Sequence, residues 1–273
     1  MKDDLGEEVT LAGRPRRIVS LVPSLTQSVA VTGRDLLVGA TDFCTHPTDL
    51  AVARVGGSKY PRVADVLACE PDLVLADMDE NRKDDVLMLR NAGVPVWVVN
   101  PRTVPQALVS LGRMLRMCGL GKPAWLTDAE TVWASLPEKT ETVRVAIPVW
   151  RRPWVLLGGA TFSSDLLARL GYVNVFSGER FPRPKLAEIQ TSGAELVILP
   201  NEPYEFTAED GPEAFPDTDC ALVDGRFLTW YGPTLDAGHR AAGFGCAVEP
   251  SNDIGSWYAW IDSWECCRTR RGP

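Results

Sequence analysis

Residues 61–80, PRVADVLACEPDLVLADMDE, have a second copy at residues 184–203, PKLAEIQTSGAELVILPNEP. At one constant offset Val63 falls on Leu186, Ala64 on Ala187, Asp65 on Glu188 and Val66 on Ile189, and the register carries Asp72-Leu73-Val74-Leu75 onto Glu195-Leu196-Val197-Ile198. Each copy reads as a short amphipathic helix, a small-residue turn and a buried apolar strand that ends in a carboxylate-bearing loop: Asp77, Asp79 and Glu80 in the first, Glu202 in the second. One duplication separated by more than a hundred residues predicts two similar lobes facing one another across a cleft, not a short-period solenoid.

A chain of 273 residues can bury a core in each of two domains of about 100 to 120 residues. The expected division is an N-terminal α/β lobe over 1–120, a connecting helix over 121–140, a C-terminal α/β lobe over 141–240 and a closing helix or tail over 241–273. A formal charge of −8 and a pI near 4.9 argue against nucleic acid and anionic membrane surfaces as partners. No run approaches the roughly 20 apolar residues of a membrane span. The first residues, MKDDLGEEV, carry acids where an export signal needs positive charge, and the seven cysteines form no CxxC pair or evident disulfide framework. A cytoplasmic protein is expected on these grounds; the alternative is an exported one whose signal has been removed.

Along the chain, residues 17–22 read as a strand and 24–33 as a helix with Ser24 as its cap, followed by a strand over 36–40. Asn81 is placed to cap a helix with Asp84 three residues on. Residues 94–99 form a further strand, and Leu108, Leu111 and Leu115 mark a helix over 104–117. Alternating strands and helices predict a parallel sheet with helices on its faces. Trp125, Ala129, Val132, Trp133 and Leu136 form one stripe of the connecting helix. The second half restarts with strands at 143–149 and 154–157, a helix from 163 or 164 to 170, the second repeat copy and a strand at 221–223. Ile254, Trp257, Tyr258, Ile261 and Trp264 have helical spacing near the end.

Ligands of parallel sheets bind beyond the carboxyl ends of the strands, where this chain places its aromatic and charged residues. The run Val149-Trp150-Arg151-Arg152-Pro153-Trp154 sets two tryptophans and two arginines on one tight connection, suited to stacking and cation–π contact with a flat or anionic ligand, although packing accounts for one of the tryptophans. Tyr60, Tyr204, Trp230 and Tyr231 extend that wall. Ser24, Asp42, Asp79, Glu80, Arg82 and Glu202 complete the candidate ligand-binding set. Cys44 and His46 share a loop at a spacing that could meet one metal, though a buried thiol beside a hydrogen-bonded imidazole explains them as well. Neither a GxSxG elbow, a P-loop nor a GxGxxG turn after the first strand is present, so catalytic residues are not assigned.

The segments RIVSLVPSLTQSVAVTG, VGATDFCTHP, RVGGSKYP, EPDLVLADMDENRKDDV and AGVPVWVVNPRTV together resemble the Fe/B12 periplasmic-binding family, the helical-backbone metal receptors, over about residues 16–233. The resemblance implies a class III substrate-binding fold: two α/β lobes, each with a mostly parallel sheet, joined by a single helix. It implies a corrinoid, haem or iron-siderophore held between them, with no enzymatic activity and no membrane insertion. The best-known family type, the vitamin B12-binding partner of an ABC transporter, meets its permease through one glutamate per lobe. Those positions hold Ala64 and Ala187 here, with Asp65 and Glu188 one residue later, which argues against docking in that manner. The connecting helix also looks shorter than the family's. The reading is therefore a binding protein for a cobalamin-like or other metal-chelate ligand. An enzyme or biosynthetic accessory using Asp77 to Glu80 or Cys44/His46 is the alternative on the same scaffold.

Overall fold

The computed structural model describes residues 1–136 and 142–236. By its internal contacts the chain divides into two units: the first takes Met1–Pro101, Pro105–Glu130 and Tyr231–Pro233, and the second takes Arg102–Val104, Thr131–Trp230 and the described residues from Thr234 onward.

In the first unit five strands lie in the order β3-β2-β1-β4-β5: β1 is Ile18–Ser20, β2 Leu37–Ala40, β3 Ala53–Arg54, β4 Leu73–Asp77 and β5 Val96–Val99. All four pairings are parallel. Such strands must be apolar on both faces because helices cover both, and β4 is buried at all five positions. Helices α1 (Pro23–Gly33), α2 (Val63–Ala68), α3 (Lys83–Asn91) and α4 (Val104–Met117) connect or follow them. Val66 of α2 and Val86 and Leu89 of α3 join Val19, Leu21, Val74, Ala76, Val96 and Val98 in one core.

Helix α1 starts one residue before the sequence pattern places it. Pro23 occupies its first turn, where a missing N–H costs nothing, and Val22 is the N-cap, so Ser24 is buried within the helix and does not cap it. Asn81 does not cap either: α3 begins at Lys83 after Arg82, and the Asn81 side chain is buried elsewhere.

The edge of β5 is covered by the chain's first residues. Asp4 N–H donates to Val98 O at 3.1 Å. The fully buried Asp3 carboxylate accepts from Leu5 N–H and Glu7 N–H at 2.9 Å and from the Arg90 guanidinium at 3.0 Å. Asp4 accepts from Asn100 N–H at 3.0 Å, from Arg113 at 2.9 Å and from Ser110 Oγ. This strap satisfies an otherwise open row of backbone groups.

Helix α5 (Ala124–Ser135) lies inside the expected connector, and the division between units falls within it. Leu126, Ala129 and Trp133 are its buried positions. Trp125 Nε1 donates to Thr32 Oγ1 in the first unit, and Trp133 Nε1 donates to Leu235 O in the second, both at 3.1 Å.

The second unit repeats the plan with four parallel strands in the order β11-β10-β6-β9: β6 Val143–Ala146, β9 Tyr172–Asn174, β10 Leu196–Pro200 and β11 Asp219–Val223. The strand expected over 143–149 breaks at Ile147, and its continuation forms an antiparallel ribbon of β7 (Pro148–Arg151) and β8 (Trp154–Leu156). Helix α6 (Phe162–Arg169) is capped by Thr161, whose Oγ1 accepts from Ser164 N–H. Helix α7 (Leu186–Gln190) leads into β10 as α2 leads into β4, and β10 is also buried throughout. Strands β3 and β9 and helix α8 (Gly225–Thr229) are additions to the sequence pattern, each only two to five residues long. The closing helix expected near 254–264 lies outside the described residues.

Replacing Asp3 with alanine leaves the Arg90 charge and the amides of Leu5 and Glu7 without their acceptor. Urea denaturation should report a loss of about 3 kcal/mol, the cost typical of breaking a buried ion pair, with an unchanged slope.

Candidate functional site

A doubly wound sheet opens a crevice where its strand order reverses, beyond the carboxyl ends of the strands. In the first unit that point lies at β1 and β4, which are neighbours in space but are separated in sequence by β2 and β3. In the second it lies at β6 and β10. The loops leaving these strands carry most of the candidate residues.

At the end of β4, Asp77 is buried and closes a small network. Its carboxylate accepts from Asp79 N–H at 2.7 Å, from Glu80 N–H at 3.0 Å and from the Tyr231 hydroxyl. Asn81 Oδ1 accepts from Asp77 N–H at 2.8 Å, while Asn81 Nδ2 donates to Ser58 O at 2.8 Å and Leu21 O at 3.3 Å. Lys59 Nζ donates to Asp79 O at 2.6 Å. Gly232, next to Tyr231, packs so closely on the start of α1 that a side chain there would lie 2.8 Å from Ser28 Oγ and 3.2 Å from Ser24 O.

Outside this network the loops present rings and charges to solvent. Tyr60 is 70% exposed and lies under the Arg82 guanidinium at 5.3 Å, and Phe43 is 65% exposed. Arg82 also approaches Asp85 at 3.7 Å and Asp84 at 3.8 Å. Asp42 is exposed and stands 3.9 Å from Arg62. Arg54 fixes the loop that carries Asp42 and Phe43 by donating to the carbonyls of Thr41, Cys44 and Leu50.

Cys44 and His46 are engaged separately. Cys44 is fully buried, and its sulfur meets Thr26 Oγ1 at 3.0 Å and Thr41 Oγ1 at 3.1 Å. Burial pushes its thiol pKa up, against the lowering effect of those hydroxyls. His46 is partly exposed and pairs with Thr45 Oγ1. Among the described residues no group of three His, Cys, Asp or Glu side chains could hold an ion.

In the second unit the β7–β8 ribbon follows β6. Trp150 is 42% exposed, its indole N–H donates to Arg152 O at 3.3 Å, and its ring meets Tyr204 edge-on at 5.6 Å. Arg152 is exposed. Arg151 and Trp154 turn the other way, as alternation along a strand requires. Trp154 stacks on Phe206 at 6.2 Å and meets Phe215 at 5.5 Å, and Arg151 lies over Trp154 while pairing with Asp210 and Glu213. These two residues build the core and its rim; the exposed surface belongs to Trp150 and Arg152, with the half-buried Tyr204 beneath Trp150. Tyr204 is itself held by Phe206 at 4.7 Å and by a hydroxyl bond to Asp210.

Trp230 and Tyr231 are buried, which removes them from the exposed wall. Instead they attend carboxyls. Burial raises Glu202 to about 7, with the Trp230 hydrogen bond opposing, Asp224 adding, and Arg226 and Thr229 opposing. Glu202 packs flat on Gly225, where a side chain would lie 2.4 Å from its Cγ. Burial likewise raises Asp77 to about 6, opposed by the Tyr231 hydroxyl, increased by Asp79 and opposed by the two backbone N–H groups.

The comparisons with known proteins agree with this architecture. No family model matches the chain. It is 22% identical to the vitamin B12-binding protein of Vibrio cholerae over 204 residues, covering 71% of this chain and 70% of that one. It is 30% identical to the cobalamin-binding protein of Halobacterium salinarum over 230 residues, covering 79% of this chain and 59% of that one. The solved periplasmic vitamin B12 binding protein of Vibrio cholerae superposes with a TM-score of 0.65 at 14% identity, covering 94% of this chain and 99% of that one. The resemblance to the Fe/B12 periplasmic-binding family is borne out. A periplasmic heme binding protein from Pseudomonas aeruginosa superposes with the same TM-score at 19% identity, covering 87% and 95% of the two chains. The fold is accordingly the class III α/β fold of the family's binding proteins. These relatives correct one expectation. A cytoplasmic location conflicts with the periplasmic proteins that the chain resembles, and neither the acidic first residues nor the unpaired cysteines sustain it. Among the described residues no helix is long and apolar enough to cross a membrane.

Both raised carboxyls hold their protons more tightly folded than unfolded, so folding takes up protons between about pH 4 and pH 7. Stability therefore falls as pH rises through that window and returns on acidification, by about 2 to 3 kcal/mol for each group. Asp49, lowered by Arg34, and Glu195, lowered by the Arg144 N–H, act in the opposite sense at more acid pH. Thermal melts should show a higher Tm near pH 5 than near pH 8, with a flatter profile in Asp77→Asn and Glu202→Gln.

Proposed function

We propose that this chain is a non-enzymatic, exported binding protein for a corrinoid or closely similar metal chelate. The observation that carries the reading is the exposed aromatic and cationic surface beyond the carboxyl ends of the parallel strands: in the first unit Tyr60, after β3, under Arg82, after β4, with Phe43 after β2, and in the second Trp150 on Tyr204 with Arg152. Flat faces backed by rigid contacts suit a large planar ring system, and the guanidinium groups suit its acidic or amide-bearing periphery. The metal would arrive already held by its chelator, since these loops offer rings and guanidinium groups in place of a ligand cluster. The names of the relatives, vitamin B12-binding and cobalamin-binding, support the corrinoid over other chelates.

The acid–base alternative has little to act with. Asp77 is committed to two backbone N–H groups and a phenol, and Cys44 is sealed behind two threonines. Transfer of ligand to a permease through the helices α2 and α7 is not part of the proposal. Asp65 is engaged by Arg62 of its own turn, and Glu188 closes its own helix by accepting from Lys185 N–H at 2.6 Å.

Titrating the purified protein with cyanocobalamin should give saturable binding with a change in the corrin absorbance and a raised Tm, with hemin as the competing arm. Trp150→Ala and Tyr60→Ala should each weaken binding about tenfold, the scale of one lost stacking contact. Wild-type protein indifferent to cyanocobalamin would remove the corrinoid reading.

A further inference from the structure

Five segments of the first unit meet at one buried point. Asn81 bonds the end of β1 through Leu21 O, the loop before α2 through Ser58 O and the end of β4 through Asp77 N–H. Asp77 in turn gathers the amides of Asp79 and Glu80 and the Tyr231 hydroxyl, and Tyr231 is anchored where Gly232 seats on α1. The exposed pair Tyr60 and Arg82 sits one residue from Lys59 and Asn81, two members of this cluster. None of the buried members reaches the surface, so they act only through the loops they hold.

We propose that Asp77, Asn81 and Tyr231 form a positioning unit that sets the geometry of the Tyr60–Arg82 surface and makes its order depend on the ionisation of Asp77. The proposal rests on the ligand-binding reading above. Ionised Asp77 accepts three charge-assisted hydrogen bonds, whereas the protonated acid accepts more weakly and must place a proton. The charged and titratable groups facing it are Tyr231 and Asp79, with Glu80 acting on Tyr231 and Lys59 bound to the Asp79 carbonyl. Burial and the Asp77 charge push the Tyr231 phenol well above its ordinary range, so it remains a donor throughout. Asp77 changes state near pH 6.

The test pairs cyanocobalamin titrations near pH 5 and pH 8 with amide NMR of the ligand-free protein. Wild-type affinity should be about fivefold weaker near pH 5, reflecting the weaker hydrogen bonds of the neutral acid, and Asp77→Asn should abolish that difference. Tyr231→Phe, which removes one hydroxyl, should move the midpoint upward. Asn81→Ala should weaken binding at both pH values and speed hydrogen exchange at 58–60 and 79–82 alone; if it does not fold, Tyr231→Phe carries the test. Without ligand, the Asp79 and Glu80 amide resonances should titrate near pH 6 in wild type and not in Asp77→Asn. Failure of wild type to bind cyanocobalamin overturns the ligand reading, and the amide titration then judges the positioning unit by itself. Amides that do not titrate, or a Tyr231→Phe protein with the wild-type pH profile, overturn the positioning unit.

Discussion

A parallel strand covered by helices on both faces has no solvated side on which to carry polar chemistry. Strands β4 and β10 meet this condition along their whole lengths. Polar and charged side chains are therefore kept to the ends of these strands, where Asp77 is the last residue of β4, and to the loops beyond, and the strand order decides which loops open outward. In both units the reversal of that order selects the loop after the repeated strand and the loop after its earlier neighbour, β1 or β6. Those loops carry Arg82 in the first unit and Trp150 and Tyr204 in the second, while Tyr60 and Phe43 reach the same end of the first sheet from the loops after β3 and β2.

The duplicated helix-strand unit was legible because it depends on a pattern that a linear sequence displays. Val63 to Val66 and Leu186 to Ile189 do form helices, and the runs after them do form the buried strands. What the pattern could not display was the direction of individual side chains at irregular places. Asn81 has the spacing of a helix cap, yet its Oδ1, the atom that would cap, accepts from the buried Asp77 N–H while its Nδ2 serves the carbonyls of Leu21 and Ser58, and buried groups left unpaired cost more than an uncapped helix exposed to water. Tyr231 looked like part of an exposed wall because its partner Asp77 is 154 residues away. No local signal joins such a pair.

The tryptophan–arginine ribbon divides along the same line. A break at Ile147 sets which of its alternating residues face the core. Once Trp154 enters the cluster of Phe206 and Phe215, Arg151 must follow the same face, where two carboxylates receive it. Trp150 is left outside by default, supported edge-on by Tyr204. A composition that looked like one recognition element is half foundation and half surface, and the exposed half is held in place by the buried half.

The two raised carboxyls give the last step. Asp77 ends β4 and Glu202 follows β10, the equivalent strands of the duplication, and each takes a hydrogen bond from one of two consecutive residues, Tyr231 and Trp230. A buried ionisable group near neutrality subtracts from stability, and an apolar residue of the same size would be less costly. Packing alone gives no reason to keep either carboxyl. Geometry does: a carboxylate accepts several donors from different directions at once, which an apolar side chain cannot do. Each carboxyl therefore exchanges some fold stability for loops held in one arrangement.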